Sequence, residues 1–335
     1  MTCLALTTSP AQADPLRIAF FHTELSRDGP GLLLRDIQRG KDAQVTAVVD
    51  VIAQASPDIL VLRGIDWDLE ARALDALAEV LITAGHPLPH RFTAQPNRGM
   101  PTGFDLNGNG RAGDPDDMQG YAEFTGQNGL AILSRWPIGT VTDATDMLWR
   151  DLPNALVPWP GQPDGSLDVL RLSSTAHWLA PIDAGDYGEV TIGTFAASTP
   201  VFDGEEDRNG RRNHDEIAFW AQLLDGALPY AAPADLIIAG HANLDPLRGD
   251  GRREAIRGLL DHPALQDPFP ADILTVDWKR DDLEPMRLSY ILPTQSWDIV
   301  ASGVIWPEPG DPWLETVETA SRHRLIWVDL ERRSP

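Results

Sequence analysis

Short apolar runs of five to eight residues, each closed by turn residues, recur from one end of this chain to the other. They are LRIAFF (16–21), DILVLRGI (58–65), LAILS (130–134), LRLSST (170–175), VTIGTFA (190–196), DLIIAG (235–240), MRLSYIL (286–292) and RLIWVDL (324–330). Runs this short and this apolar read as strands covered on both faces, which have no polar side to alternate with. Between them lie stretches of helical periodicity at 42–55, 69–85, 213–226 and 252–262. Asn213 followed by Glu216 has capping-box spacing, which predicts a helix start at that point. Strands and helices interleave without a biased linker or an internal repeat, so residues 14–335 read as one α/β domain. Polar stretches at 93–129, 143–168 and 202–212 interrupt the pattern, and loops of that length usually carry function or are ordered by a ligand.

Charge narrows the partners. The chain has 27 basic residues against 50 acidic ones, a formal charge of −23. Such a surface repels phosphate backbones, so non-specific nucleic-acid binding is disfavoured. A single cysteine, Cys3, rules out an intrachain disulfide. No run approaches the roughly 18 apolar residues a membrane span needs. The opening residues, MTCLALTTSPAQADP, carry a small-residue A-Q-A site ending at Ala13. Residues 1–13 thus read as the remnant of a truncated secretory signal, which predicts a secreted or periplasmic protein; the other reading is a plain N-terminal arm.

In order along the chain come FFH at the end of the first run, PDILVL, NGLAILSRWPI, SSTAHW, a strand ahead of VFDGEEDRNGRRNHDEI, the turn AGHANLDP, RLSYILP and SRHRLIW. This series resembles the endonuclease/exonuclease/phosphatase superfamily, the DNase-I-like fold, and its exported bacterial branch in particular, over residues 16–330. The resemblance implies a four-layer sandwich, two packed mixed β-sheets flanked by helices. It also implies hydrolysis of phosphate esters with a divalent metal. The family's chemistry uses an Asn on the first strand, a metal-binding Glu on the second, a His on a middle strand, a G-D-x-N turn, an Asp before Y-x-L-P and a closing S-D-H.

Residue by residue, this sequence departs from that pattern. His22 stands where the family has its first-strand Asn, Gly64 where it has the metal-binding Glu, and Ala196 where it has the middle-strand His. His241 replaces the Asp of G-D-x-N while Asn243 is kept, Ser289 replaces the Asp before Y-x-L-P, and the closing triplet reads Ser321-Arg322-His323. His177, in SSTAHW, survives from the scaffold. Mg²⁺ seeks carboxylate oxygens, and Gly64, Ser289 and Arg322 supply none. Mg²⁺ is therefore not expected at the family site, and hydrolysis by the family's route is expected to be lost or severely impaired. Two readings stay open. One is a catalytically degenerate member with a retained ligand-binding cleft. The other is an active phosphoesterase whose metal centre is rebuilt from His22, His241 and His323, neutral imidazoles that suit Zn²⁺. Asp66, Asp68 and Asp245 are the acids nearby in sequence.

Two further segments carry their own chemistry. In 104-FDLNGNGRAGDPDD-117, Asp105, Asn107 and Asn109 fall at positions 1, 3 and 5 of a calcium loop, with Gly110 at 6 and Asp116 at 12. That spacing suits Ca²⁺, and it equally suits a polar loop closed by its own Asn and Asp side chains. In 207-DRNGRRNHDEI-217, Arg208, Arg211 and Asn213 sit at a helix start. They can hold an anionic ligand or simply form a capped, ion-paired helix entry.

Overall fold

A strand that is apolar on both faces needs a cover on each side. The computed structural model, which describes residues 14–333, meets that requirement with two sheets packed face to face and helices outside them. The first sheet is built from β1 (Leu16–His22), β2 (Ile59–Ile65), β3 (His90–Phe92), β4 (Gly129–Ser134), β10 (Trp297–Val304) and β11 (Ile326–Arg332), in the order β10-β11-β1-β2-β4-β3. The second contains β5 (Thr142–Asp143), β6 (His177–Asp183), β7 (Glu189–Phe195), β8 (Leu236–His241) and β9 (Ser289–Pro293), in chain order. Only β1–β2 and β7–β8 pair in parallel; the other neighbours are antiparallel, so both sheets are mixed.

The alternation of side chains sorts the core into three layers. Ile18 and Phe20 of β1 and Ile59 and Val61 of β2 face inward, against Ile192 of β7, Ile237 and Ala239 of β8 and Ile291 of β9. Their neighbours Ala19, Phe21, Leu60 and Leu62 face outward, under α2 (Ala43–Ala55), α3 (Arg72–Thr83) and α6 (Trp313–Ala320). Phe195, Leu236, Ile238 and Leu292 form the outer face of the second sheet, covered by α4 (Arg208–Leu224) and α5 (Glu254–Leu260). Each fully buried Leu, Ile or Phe in these layers contributes about 1.5–3 kcal/mol. The result is the four-layer sandwich that the sequence implies.

Three expectations need correction. Residues 170–175 form no strand beyond an isolated bridge of Arg171 to Leu148: the carbonyls of Arg171, Leu172 and Ser173 are taken by the Arg212 guanidinium, and that of Ser173 also by the Asn97 side chain. The strand lies just beyond, in β6. The α4 helix starts at Arg208 rather than at Asn213, because the capping-box partners have other work. Asn213 donates to Ser198 O and Ala242 O, and Glu216 accepts from Ser174 N, Ser198 N and Ser198 Oγ. Finally, α1 (Leu32–Arg39), α6, β3, β5 and β10 lie outside the predicted segments. The signal-like residues 1–13 fall outside the described residues. No described helix is long and apolar enough to cross a membrane.

Candidate functional site

Parallel pairing brings the carboxyl ends of β1 and β2 together, and β8 ends against them from the other sheet. Three histidines therefore meet: His22 at the end of β1, His241 at the end of β8 and His323 just ahead of β11. All are buried, and their ring centroids lie 4.0 Å (His22–His323), 4.8 Å (His22–His241) and 5.2 Å (His241–His323) apart. Around them a cleft of about 260 Å³ is lined by Glu24, Arg63, Arg98, Asn128, Asn243 and Arg322 among others. Trp278 closes one side, edge-on to His323 at 5.3 Å.

Arg63 is the group the sequence reading missed. It precedes Gly64, where the β2–β4 register shifts between Arg63 and Ile65. Such a bulge needs one residue with an unusual backbone, and it re-aims the neighbouring side chain. Gly64 supplies it with φ +85°, and a Cβ there would meet Glu24 N at 2.8 Å and His22 Cδ2 at 3.0 Å. The Arg63 guanidinium reaches into the cleft, donating from Nη1 to His22 Nε2 (2.5 Å) and Asn128 Oδ1 (3.0 Å). Arginine donates only, so His22 Nε2 must be the acceptor and the proton of this neutral ring sits on Nδ1. That Nδ1 has no partner, nor have His323 Nδ1 and Arg63 Nε, although all three atoms are buried.

Protonation follows from the same crowding. Burial, then repulsion from His323 and Arg63, hold the His22 imidazole well below its ordinary range. Burial, followed by Arg63 and His323, does the same to His241, and burial lowers His323 to about 3. The Arg63 guanidinium is lowered to about 9 by burial and by Arg98, and stays charged at neutral pH. The centre thus holds neutral rings and a buried cation.

The cleft's lining contains one carboxylate, Glu24, and it is occupied. Arg322 pairs with it through Nη2, Nε (3.0 Å) and its own backbone N–H (2.8 Å), and Ser321 Oγ donates to it as well. Burial pushes the Glu24 carboxyl up, but Arg322 more than offsets this and leaves it below the usual range. The neighbouring acids are also engaged: Asp66 by Ser26 Oγ, Arg27 N and Asn128 N, Asp68 by the first turn of α3, and Asp245 by the N–H groups of Leu247, Arg248 and Arg287. A magnesium ion needs free oxygens in an octahedron, and these residues do not fit it. The three imidazoles are the one group of three or more His, Cys, Asp or Glu side chains that converge among the described residues, with ligand atoms within 4.8 Å of one another. Around tetrahedral zinc, with bonds of about 2.0–2.1 Å, such nitrogens stand about 3.3 Å apart. His22 would also have to give up the Nδ1 proton or the Arg63 bond.

The remaining expected residues divide. Ser289 joins the site, its Oγ 3.3 Å from His241 Nδ1, and Asn243 lies at its edge, bonded to Thr199 Oγ1. Ala196 bridges to His241 through the backbone and presents only a methyl group. His177 does not join. It is buried behind the second sheet among Phe195, Phe219 and Trp220, and both ring nitrogens are bonded, to Ser173 Oγ (2.6 Å) and Glu216 O (2.9 Å). Arg211 is held by the carbonyls of Glu206 and Leu156, whereas Arg208 faces a separate cavity. In the 104–117 loop, Asp105 accepts from Asn109 N and Gly110 N, Asn107 from Asn109 N, and Asn109 from Arg111 N. The buried acid there is Asp117, which takes three backbone N–H groups, while Asp116 is exposed.

Two mixed sheets in this order, with the site at their joined strand ends, define a DNase-I-like scaffold. A sequence profile of the endonuclease/exonuclease/phosphatase family matches residues 36–323, and the chain belongs to that family. Among solved structures it is similar to an endonuclease/exonuclease/phosphatase from Beutenbergia cavernae DSM 12333, at 18% identity and a TM-score of 0.59, covering 96% of this chain and 72% of that one. It is also similar to the human Nocturnin catalytic domain with bound sulfate anion, at 14% identity and a TM-score of 0.52, covering 96% and 97%. A family protein from Leptotrichia buccalis C-1013-b matches at 15% identity and a TM-score of 0.52, covering 94% and 99%. A search of curated protein sequences finds no match.

Proposed function

We propose that this family member no longer hydrolyses phosphate esters through a bound metal and uses its cleft to hold a tetrahedral oxyanion of the phosphate type. The observation that carries this reading is Arg63, a buried guanidinium without a carboxylate partner at the meeting point of the three histidines. An unpaired buried cation is costly, and each orphaned buried donor adds about 1–3 kcal/mol. Arg63 Nε and His22 Nδ1–H are such donors, and an oxyanion satisfies both while neutralising the charge. A divalent cation in the same place meets the guanidinium's repulsion and, at Glu24, a carboxylate already engaged.

The test has two arms. Isothermal titration with inorganic phosphate is expected to show binding that Arg63→Met weakens at least tenfold. A hydrolysis screen on bis(p-nitrophenyl) phosphate, p-nitrophenyl phosphate and DNA with Mg²⁺, Mn²⁺, Ca²⁺ or Zn²⁺ is expected to give no turnover. Robust turnover lost in His323→Ala would overturn the proposal. The convergence of His22, His241 and His323 supports a second reading, an active phosphoesterase on a zinc centre. It requires Arg63 to leave His22 Nε2, and stoichiometric zinc retained after loading and dialysis would favour it.

A further inference from the structure

A larger cavity, of about 520 Å³, lies beside the cleft between the 98–121 loop, the 149–174 segment and the first turns of α4. Its size falls within the range of small-molecule sites, about 300–1,000 Å³. One wall is apolar and aromatic: Trp149, stacked on Trp159 at 5.5 Å, with Leu106 and Leu170 beside it. Three guanidinium groups also line the cavity, those of Arg98, Arg208 and Arg212, the last 5.7 Å from the Trp149 ring centroid. Arg212 is bound by three backbone carbonyls, but Arg98 and Arg208 are not so engaged. Arg98 Nε and Arg208 Nη1 are buried without a partner, and Arg208 Nη2 donates one long bond, 3.3 Å, to Asp116 O.

Arg98 and Arg208 are not among the arginines that pair with a carboxylate, such as Arg17, Arg27, Arg252, Arg287 and Arg322. Asp116 is the one carboxylate-bearing residue on the cavity wall, and it offers Arg208 its backbone carbonyl. At the rim Phe202 is 89% exposed and holds a left-handed backbone with φ 71°, two unfavourable features in one residue. Such strain clusters at ligand sites, where a bound partner compensates it. An aromatic ring at the rim, an aromatic floor and two uncommitted guanidiniums all select the same chemistry.

We propose that this cavity binds a small aryl oxyanion, its ring against Trp149 and its phosphate, sulfonate or carboxylate group on Arg98 and Arg208. Charge-assisted bonds to guanidinium orient the head group, and the apolar wall recognises the ring. The site is separate from the oxyanion cleft around Arg63, although Arg98 and Thr199 border both.

The experiment titrates the full chain with 2-naphthyl phosphate, naphthalene-2-sulfonate and uncharged 2-naphthol by calorimetry. Both anions are expected to bind, with 2-naphthol at least tenfold weaker. Arg208→Gln is expected to weaken both anions tenfold or more, and Val201→Trp, which fills the cavity from a half-buried loop position, to abolish binding. Binding of inorganic phosphate is expected to be unchanged in both variants and weakened at least tenfold in Arg63→Met, which separates the two sites. No binding of either aryl anion, equal binding of 2-naphthol, or full affinity in Arg208→Gln or Val201→Trp would overturn the assignment.

Discussion

His177 and the trio of His22, His241 and His323 are alike in burial and in having their imidazoles pushed toward the neutral form. They differ in what their nitrogens touch. His177 gives one nitrogen to Ser173 Oγ and the other to Glu216 O, and aromatic rings pack its faces. In the trio, Nδ1 of His22 and of His323 meets nothing. Burial and a depressed pKa therefore do not distinguish a site from a core; unsatisfied donors around a buried cation do.

The contrast can be broken at several points. The largest effect is expected at His177→Ala, which removes two buried hydrogen bonds and a ring from a packed aromatic cluster. A loss of about 3 kcal/mol in urea unfolding is the expected result, with phosphate binding unchanged in the folded protein. Acid comes next. The folded-state pKa of His177, lowered to about 4 by burial, lies below the unfolded value, so the unfolded chain takes up its proton first as pH falls. Its contribution to stability is complete above about pH 6.5 and declines as pH falls toward 4, by about 1.4 kcal/mol at pH 5.5. Unfolding measured at pH 7.5 and 5.5 is expected to show a smaller drop in His177→Gln by that amount. In the trio, His22→Phe removes an orphaned donor but also the acceptor of Arg63 Nη1, which keeps its bond to Asn128 Oδ1, so a loss of about 1 kcal/mol in stability is expected while phosphate binding falls. A cost near that of His177→Ala would erase the distinction between the regions. The smallest effect belongs to the 104–117 loop, where Asp105 is already bonded to the backbone. Calcium at a concentration equal to its Kd adds about 0.4 kcal/mol, a shift of roughly 1 °C in Tm, expected to vanish in Asp105→Ala.

Much of the fold was legible because burial on both faces leaves a plain mark, as in DILVLRGI and DLIIAG. The LRLSST run imitated that mark, but Arg212 and Asn97 take its carbonyls, a decision made far along the chain. The short β3 and β5 and the half-exposed β10 have too little pattern to read. At the site, the family resemblance brought His22, His241 and His323 to one place. It did not reveal Arg63 or Arg98, because an arginine beside a glycine or in a polar loop has no distinctive spacing. Both stand out by lacking a carboxylate partner and by an unpartnered buried Nε, which are properties of three dimensions. Arg208, read from the sequence as part of a helix start that can hold an anion or form a capped entry, lines a cavity, while Arg211, Asn213 and His177 are tied into the frame.

The glycine of the β2 bulge also bears on which substitutions the site can accept. Gly64 stands where the resemblance puts the family's metal-binding glutamate, yet the chain around it has closed in until even a methyl group collides with the backbone of Glu24. A glutamate at position 64 would have to undo the bulge, redirect Arg63 and move His22, so that position is held by its neighbours jointly and accepts no larger side chain on its own.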